Sequence, residues 1–267
     1  MKLFLRCIFL VFIISCGHEP SVEQVQTGHF FFGQPQGTPE TNNLIERSIY
    51  ALSSNDDRKM ADWVCYRLNV ETVDGKVKTS RRWKVDPLLL DHETLEPSDY
   101  KGASAVLKVD RGHQAPLASF KGTAHWKETN YLSNVTPQKS NLNQGPWRIL
   151  EERVRVLVRK VQVVWVMTGP LFERTMPILP HADEPHQVPS GYWKIICVQD
   201  HNDLSDLKVT AFIFEQETSR KSAVLNHQVS VDEIEKRSGL NFMHELPLEF
   251  EQQIEAQKNI AWAALHF

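Results

Sequence analysis

The sequence has few cysteines and no excess of glycine or proline. Its 267 residues include 4 cysteines, 12 glycines and 14 prolines, and they contain no repeat or low-complexity tract. These counts exclude a disulfide-rich scaffold, a collagen-like chain and a disordered low-complexity chain. Hydrophobic residues make up 41% of the chain and charged residues 24%, which is ordinary for a globular protein. The length predicts one large domain or two small ones.

The chain also lacks a strong excess of charge of either sign. It has 30 lysines and arginines against 33 aspartates and glutamates, which gives a formal net charge of −3. A mildly acidic chain neither indicates nor excludes a polyanionic partner, because such binding depends on local positive potential. Composition alone therefore predicts a globular protein and no particular activity.

Long hydrophobic runs are absent as well. The N-terminus carries Lys2 and Arg6 and then the apolar residues 8–14, a run too short to span a bilayer and typical of an export signal. Residues 13–16, Ile-Ile-Ser-Cys, resemble a bacterial lipobox. That resemblance implies cleavage before Cys16, acylation of its thiol as a membrane anchor, and, with Gly17 next, the outer membrane in preference to the inner one. The alternative is an ordinary signal peptide that happens to contain a cysteine.

These features predict four segments in an exported protein of the bacterial cell envelope. Residues 1–15 are expected to be a lipoprotein signal peptide. Residues 16–45 are polar and rich in Gln, Thr, Pro and Gly, which favours a tether. Residues 46–250 are expected to form the folded domain, and residues 251–267 a C-terminal tail with a short helix.

Two cysteines remain inside the expected domain, Cys65 and Cys197. Each lies within an apolar, strand-like run. Two buried thiols are favoured over a disulfide, because sheet positions rarely align for one. The spacing of the pair matches no zinc-binding pattern.

The order of predicted elements indicates the fold class. A helix is predicted over residues 147–160, where apolar residues recur at helical spacing and Pro146 suits the first turn. Another helix is predicted between Ser230, which begins a capping-box sequence, and Gly239. Apolar runs rich in β-branched and aromatic residues predict strands over residues 63–70, 103–109, 131–136, 162–167, 192–198 and 207–214. Because regular βαβ alternation is missing, we predict an α+β fold with a central, mostly antiparallel sheet flanked by helices.

A polar cluster, Asp110-Arg111-Gly112-His113, follows one of these predicted strands. A strand end holds such side chains rigidly while leaving them open to solvent. Taken alone, His113 would more often be an ordinary surface residue than a base. A second polar segment, residues 130–138, follows and leads to the long predicted helix.

Four residues near the start of that helix are spaced by four: Asn143, Trp147, Glu151 and Arg155. Such spacing predicts a stripe along about three helical turns. An asparagine in this stripe offers a carbonyl oxygen to a hard cation. Taken alone, however, the stripe is better explained as a solvated face with a Glu–Arg pair, which contributes only a few tenths of a kcal/mol.

Together these segments resemble the DNA/RNA non-specific endonucleases of the ββα-metal superfamily. The resemblance covers roughly residues 60–247. The segments that carry it are residues 81–87, Asp110-Arg111-Gly112-His113, residues 130–138, Asn143 through Glu151 to Arg155, and residues 168–171, 189–194 and 231–237. It implies the ββα-metal fold and makes residues 46–250 a nuclease domain.

The resemblance implies a role for each matching residue. His113 is expected to be the general base, Asn143 the direct protein ligand of Mg²⁺ (or of Mn²⁺ in its place), and Glu151 the residue that orients a metal-bound water. Phosphate contacts are expected from Arg81, Arg111 and Arg155. Asn130 is expected to support His113, and Asn130, Asn134 and Gln138 to help to bind the substrate.

This set of residue types suits phosphodiester hydrolysis. A histidine titrates near neutrality and serves as a base, and arginines give planar contacts to phosphate. A single neutral oxygen ligand suits Mg²⁺, which keeps most of its waters. Phosphate contacts carry little sequence information, so we expect cleavage of both DNA and RNA with weak base selectivity and, by resemblance, 5′-phosphate products.

Two other interpretations stay open at this point. The first is a narrower phosphodiesterase that cuts only DNA or only RNA. The second is a lipid-anchored receptor that binds nucleic acid without cleaving it, although such a binder has no need of the base at His113 or of a metal ligand at Asn143. The resemblance also leaves a homodimer open.

Overall fold

The computed structural model describes residues 28–76, 81–199 and 203–267. The expected signal peptide, the lipobox and Cys16 lie outside the described residues. Within these ranges, no helix combines the length and the hydropathy needed to cross a membrane.

A seven-stranded sheet forms the centre of the fold, and every pair of neighbouring strands in it is antiparallel. Its strand order is β1-β2-β3-β6-β7-β8-β9, and β4 and β5 form a separate two-stranded ribbon. The strands are β1 (Asn43–Glu46), β2 (Ala51–Asn55), β3 (Met60–Asn69), β4 (Val109–His113), β5 (Val135–Lys139), β6 (Val163–Leu171), β7 (Gly191–Gln199), β8 (Leu207–Glu215) and β9 (Gln228–Val229). The predicted α+β class with a central antiparallel sheet is confirmed.

Helices cover both faces of this sheet. They are α1 (Val70–Val73), α2 (Ala103–Leu107), α3 (Ser140–Leu142), α4 (Arg148–Val161), α5 (Val231–Ser238), α6 (Leu248–Ala256) and α7 (Ile260–His266). Leu150, Val154 and Leu157 of α4 pack into the apolar core on one face, and Val231 and Ile234 of α5 into the core on the other. Both faces are buried, which explains why the strands read as nearly continuous apolar runs and not as alternating ones.

The alternation of side chains along β3 assigns its residues to the two cores. Val64 and Tyr66 join the core beneath α4, whereas Trp63 and Cys65 join the core beneath α5. Cys197 lies in the same core as Cys65, and both thiols are free and buried. The prediction of two buried thiols is confirmed.

The chain from β4 to α4 forms a ββα unit. β4 pairs with β5, and His113 lies opposite Val135. After β5 the chain passes through α3 and a wide π-type turn, Asn143–Trp147, in which Gly145 leaves helical geometry (φ −103, ψ −118). The regular helix α4 begins only at Arg148.

Three local predictions are wrong. The strand predicted over residues 131–136 begins only at Val135, because Leu132–Asn134 form a 3₁₀ turn. Residues 103–109 do not form a strand: residues 103–107 are helical, and the chain bends at both ends through left-handed Gly102 (φ 72) and Lys108 (φ 58). Strand β4 therefore begins at Val109, and His113 is part of this strand. Asn143 does not continue the face of α4, because the π-type turn interrupts the helix between it and Trp147.

The ends of the described chain are more structured than the predicted segments imply. Residues 16–45 are predicted to be a tether, yet Phe31 and Phe32 are buried and Asn43–Glu46 form β1. In the predicted tail, Trp262 and Phe267 pack against the core beneath α4. The described residues of both segments therefore pack onto the folded domain, since their aromatic side chains bury apolar surface against it.

Candidate active site

The candidate site is a cavity of about 650 Å³ beside the ribbon β4–β5 and the start of α4. Six of the residues singled out in the sequence line it together: Arg81, Arg111, His113, Asn143, Glu151 and Arg155. Trp83, Asp110 and Arg148 also line it. The turn, the ribbon and the helix thus bring residues more than seventy positions apart in sequence to one polar surface.

His113 is half-buried in the wall of this cavity. Its Nε2 lies 3.2 Å from Oδ1 of Asn130, and its ring lies 5.0 Å from the ring of Trp83. Because an amide oxygen only accepts hydrogen bonds, Nε2 carries the proton and Nδ1 keeps its lone pair. Asn130 therefore fixes both the ring and the tautomer.

The surroundings favour the neutral form of this imidazole. Burial lowers the pKa of His113 to about 4, and the charge of Arg81 lowers it further, whereas the hydrogen bond with Asn130 opposes the shift. Near neutral pH the ring is consequently a free base with an available lone pair.

Asn143 is oriented by Asp110, the first residue of the polar cluster. The amide Nδ2 of Asn143 donates to Oδ2 of Asp110 over 2.9 Å, and Ser140 Oγ donates to the other carboxylate oxygen over 2.8 Å. A carboxylate accepts hydrogen bonds, so the amide nitrogen must face it and Oδ1 is left over. No hydrogen bond within the described part of the chain uses that oxygen.

Glu151 lies one helical turn after Trp147 and interacts electrostatically with a buried lysine, Lys194. Burial raises the pKa of Glu151, and the charges of Lys194 and Arg155 oppose this effect. Lys194, on β7, is fully buried. Its Nζ lies 3.4 Å from the hydroxyl of Tyr66 and 4.4 Å from the ring centroid of Trp147. Burial lowers the pKa of Lys194 to about 8, and the carboxylate of Glu151 opposes this effect.

The three arginines leave their charge available to a ligand. Arg111 donates to the carbonyl oxygen of Pro97 over 2.8 Å, and its guanidinium lies 5.0 Å from the ring centroid of Tyr100. Within residues 28–76, 81–199 and 203–267, no salt bridge engages Arg81, Arg111 or Arg155. Cations without paired carboxylates around a cavity produce the local positive potential that the net charge of the chain does not show.

Asn134 and Gln138 do not line the cavity, although the sequence predicts that both contact substrate. Asn134 is fully buried: its Oδ1 accepts from the backbone N–H of Ala115, and its Nδ2 donates to the carbonyl oxygens of Ala115 and Thr129. Gln138 is buried against Gly112, where an added Cβ would lie 2.6 Å from its Oε1. Asn130 is buried too and reaches the cavity only through His113.

Sequence reasoning gave no role to three residues of this region: Asp110, Trp83 and Lys194. Asp110 is part of the cluster that includes His113, but its contact with Asn143 depends on how the chain turns after β5. Lys194 did carry a signal, because it is the one charged residue in the otherwise apolar and uncharged residues 191–198. A charge in a buried strand needs a compensating partner.

The sequence of the domain matches a family that accounts for this arrangement. Residues 31–249 match the DNA/RNA non-specific endonuclease family. The chain belongs to that family. It is an endonuclease, as the resemblance of its motifs implies.

Individual relatives of this endonuclease agree with the family match. A nuclease of Serratia marcescens is 43% identical over 231 residues, which cover 85% of each chain. The mitochondrial endonuclease G of Bos taurus is 28% identical over 224 residues, which cover 78% of this chain and 71% of the relative.

A solved structure supports the fold. The crystal structure of a complex of EndoG with EndoGI, described as showing the mechanism of EndoG inhibition, aligns with a TM-score of 0.69 at 24% identity. The alignment covers 79% of this chain and 89% of the other. The ββα-metal fold that the sequence predicts is confirmed.

Proposed function

We propose that this endonuclease hydrolyses phosphodiester bonds in both DNA and RNA, with His113 as the general base, a divalent cation at Asn143 and products that end in a 5′-phosphate. The observation that carries the proposal is the shared cavity. Among the described residues, it combines a neutral imidazole with a free Nδ1, an amide oxygen free of hydrogen bonds, and three arginines that form no salt bridge.

The residues at Asn143 fit a hard cation that keeps most of its water. Asp110 holds the amide so that Oδ1 is the remaining donor atom, and Glu151 lines the same cavity from the first turn of α4. One neutral oxygen with a nearby carboxylate suits Mg²⁺, with Mn²⁺ as a substitute. A bound cation would relieve the negative charge that builds on the phosphate oxygens and on the leaving 3′ oxygen.

His113 would take a proton from the attacking water at Nδ1. Nε2 keeps its proton and donates a hydrogen bond to Oδ1 of Asn130, so that the ring becomes a cation held by an amide oxygen. The low pKa of the unliganded site limits the basicity of His113. A phosphate group brings negative charge next to the ring and raises this pKa, so that the base strengthens when substrate is bound.

The remaining residues would either contact the substrate or support the residues that do. Arg81, Arg111 and Arg155 contact phosphate oxygens, which are common to DNA and RNA. Asn134 and Gln138 act behind the wall of the cavity: Asn134 fixes the chain after β4, and Gln138 packs beneath Gly112. Neither needs to touch the substrate for this role.

A cleavage assay on two substrates tests the proposal. The purified protein is incubated with plasmid DNA and with RNA, in Mg²⁺ and in a chelator, and the product ends are determined. We expect internal cleavage of both substrates in Mg²⁺, 5′-phosphate ends, and no cleavage in the chelator. Cleavage of one substrate alone would favour the narrower phosphodiesterase, and equal cleavage in the chelator would contradict a metal at Asn143.

We further propose that the protein is exported and attached to the membrane by acylation of Cys16, with the outer membrane preferred. The support is the apolar run 8–14 with the lipobox-like residues that end at Cys16, and a stable anchor of this kind needs more than one acyl chain. We expect Cys16→Ser to leave the membrane fraction or to accumulate as a larger precursor. A mature wild-type chain that begins elsewhere, or that is absent from the membrane fraction, would contradict the anchor and leave the nuclease activity unaffected.

A further inference from the structure

Three carboxylates converge where α5 packs against α6. Asp232, Glu235 and Glu255 each place one carboxylate oxygen within 4.8 Å of the others. None of the three lines the active-site cavity. The apolar residues of α5 join the core beneath one face of the sheet, and those of α4 join the core on the opposite face. The cluster is therefore separated from the nuclease site by the sheet.

Helical spacing brings these groups together. Asp232 and Glu235 are three residues apart on α5, and Glu251 and Glu255 are four residues apart on α6, so each pair shares a face of its helix. Like charges at such spacings repel each other. Two helices that turn acidic faces toward each other need a positive charge between them to offset this repulsion.

Glu255 is the unusual member of the cluster. It is 5% exposed, and its Oε1 has no hydrogen-bond partner among the described residues. A buried carboxylate is normally paired with a cation, hydrogen-bonded or coordinated to a metal. No salt bridge within the described ranges engages Glu255, and its charged neighbours are Glu235, Glu251 and Asp232. Burial and these three carboxylates raise its pKa to about 8.

We propose that Asp232, Glu235 and Glu255 form a binding site for a divalent cation of the size of Ca²⁺, which joins α5 to α6. Ca²⁺ binds oxygens at about 2.3–2.6 Å, so ligands on opposite sides of it lie up to about 4.6–5.2 Å apart. Opposite ligands of Mg²⁺ lie only about 4.2 Å apart. All three oxygens lie within 4.8 Å of one another, which fits within a Ca²⁺ shell. Three carboxylates suit Ca²⁺ better than Mg²⁺, which keeps several waters and usually binds only one or two carboxylates.

Each of the three residues has a carboxylate oxygen available to coordinate the cation. Glu235 uses Oε1 to accept from the backbone N–H of Phe242 over 2.9 Å, which holds the side chain and leaves Oε2. Asp232 is exposed, so that water completes the shell from that side. Glu255 supplies the buried side. The ion would tie the C-terminal helices to the body of the domain.

Calcium binding is measured best where the nuclease site is disabled. Asn143→Ala removes the proposed ligand of the active site, and Ca²⁺ alone is then titrated by calorimetry and by thermal unfolding, with NaCl at matched ionic strength as a control. We expect one binding event and a Tm that rises with Ca²⁺, since a ligand of the native state stabilises it. In the same background, Glu255→Gln and Asp232→Asn should each weaken binding at least about tenfold, as loss of a charged ligand does.

Two further observations separate lost ligands from lost folding. Because its pKa is raised to about 8, Glu255 is mostly protonated near neutral pH without a cation. Gln has the shape of the protonated acid, so the Tm of Glu255→Gln without Ca²⁺ should equal or exceed that of the parent. Glu249→Gln makes the same charge change at an exposed position of α6 outside the cluster, and it should keep the full response to Ca²⁺. The proposal is overturned if the Asn143→Ala protein shows no response to Ca²⁺ beyond that to NaCl, or if the response survives in both Glu255→Gln and Asp232→Asn.

Discussion

At the scale of single residues, the two nitrogens of the His113 ring have separate tasks. Asn130 Oδ1 binds Nε2 at 3.2 Å, and this contact leaves Nδ1 as the atom that accepts a proton. Burial lowers the pKa of the ring to about 4, compared with an ordinary value of 6.5. The base is therefore kept neutral over a wider pH range than an exposed histidine would be.

This shift predicts the acid limb of the pH profile. The base must be neutral, so kcat/KM should fall as pH decreases through the pKa of His113 in the free enzyme. Because that pKa is depressed, the fall should lie below pH 6.5. The measurement is kcat/KM on a short DNA duplex across pH, with circular dichroism at each pH to confirm that the protein stays folded. A midpoint above 6.5 would contradict the assignment of the base or of its surroundings.

The sequence predicts residue types and their roles better than their contacts. His113, Asn143, Glu151 and the three arginines do share one cavity. The orientation of Asn143 by Asp110 was not predictable, because it depends on the antiparallel register of β4 with β5 and on the turn that follows. Asn134 and Gln138 lie in the same polar segment as Asn130, and only the fold shows that all three are buried.

At the scale of elements, Lys194 connects β7 to α4. Its Nζ packs over Trp147, and its charge opposes the effect of burial on Glu151. A charged group beside a buried carboxylate keeps that carboxylate ionised. We interpret Lys194 as a positioning residue, which acts on the reaction through Glu151.

Replacement of this lysine should therefore affect turnover more than binding. Lys194→Met keeps most of the apolar volume and removes the charge, so we expect kcat to fall by about tenfold or more, equivalent to about 1.4 kcal/mol in activation free energy. KM should change little, and more Mg²⁺ should be needed for half-maximal activity. The matched control is Lys208→Met, a partly exposed lysine on β8. An unchanged kcat with a lowered Tm alone would make the role of Lys194 purely structural.

Elements with a clear apolar or capping pattern were predictable from the sequence. Elements whose bounds depend on a bend of the backbone were not. Predicted strands over residues 192–198 and 207–214 correspond closely to β7 and β8. The capping residue Ser230 accepts from the N–H of Glu233, and Gly239 ends α5 with φ 75. The strand predicted over residues 103–109 was wrong because left-handed backbone at Gly102 and Lys108 isolates a short helix there. Such a bend at a lysine has no clear sequence signal.

At the scale of the whole molecule, an acidic protein presents a basic site. The formal net charge is −3, yet Arg81, Arg111 and Arg155 meet at one cavity, and none of the three forms a salt bridge in the described chain. On the far side of the sheet, the carboxylates of α5 and α6 concentrate negative charge. Because the sheet separates these charges, a polyanion can approach the face that carries the arginines.

The most direct test of the account is the cleavage rate of His113→Ala. A general base contributes about 10²–10⁴ in rate, so single-turnover cleavage of DNA in Mg²⁺ should fall by at least about a hundredfold, while binding of the same DNA and the Tm stay close to those of the parent. His125→Ala, which replaces a half-exposed histidine outside the cavity, should cleave at the parental rate. Cleavage by His113→Ala within about tenfold of the parental rate would contradict the central claim that this residue is the base.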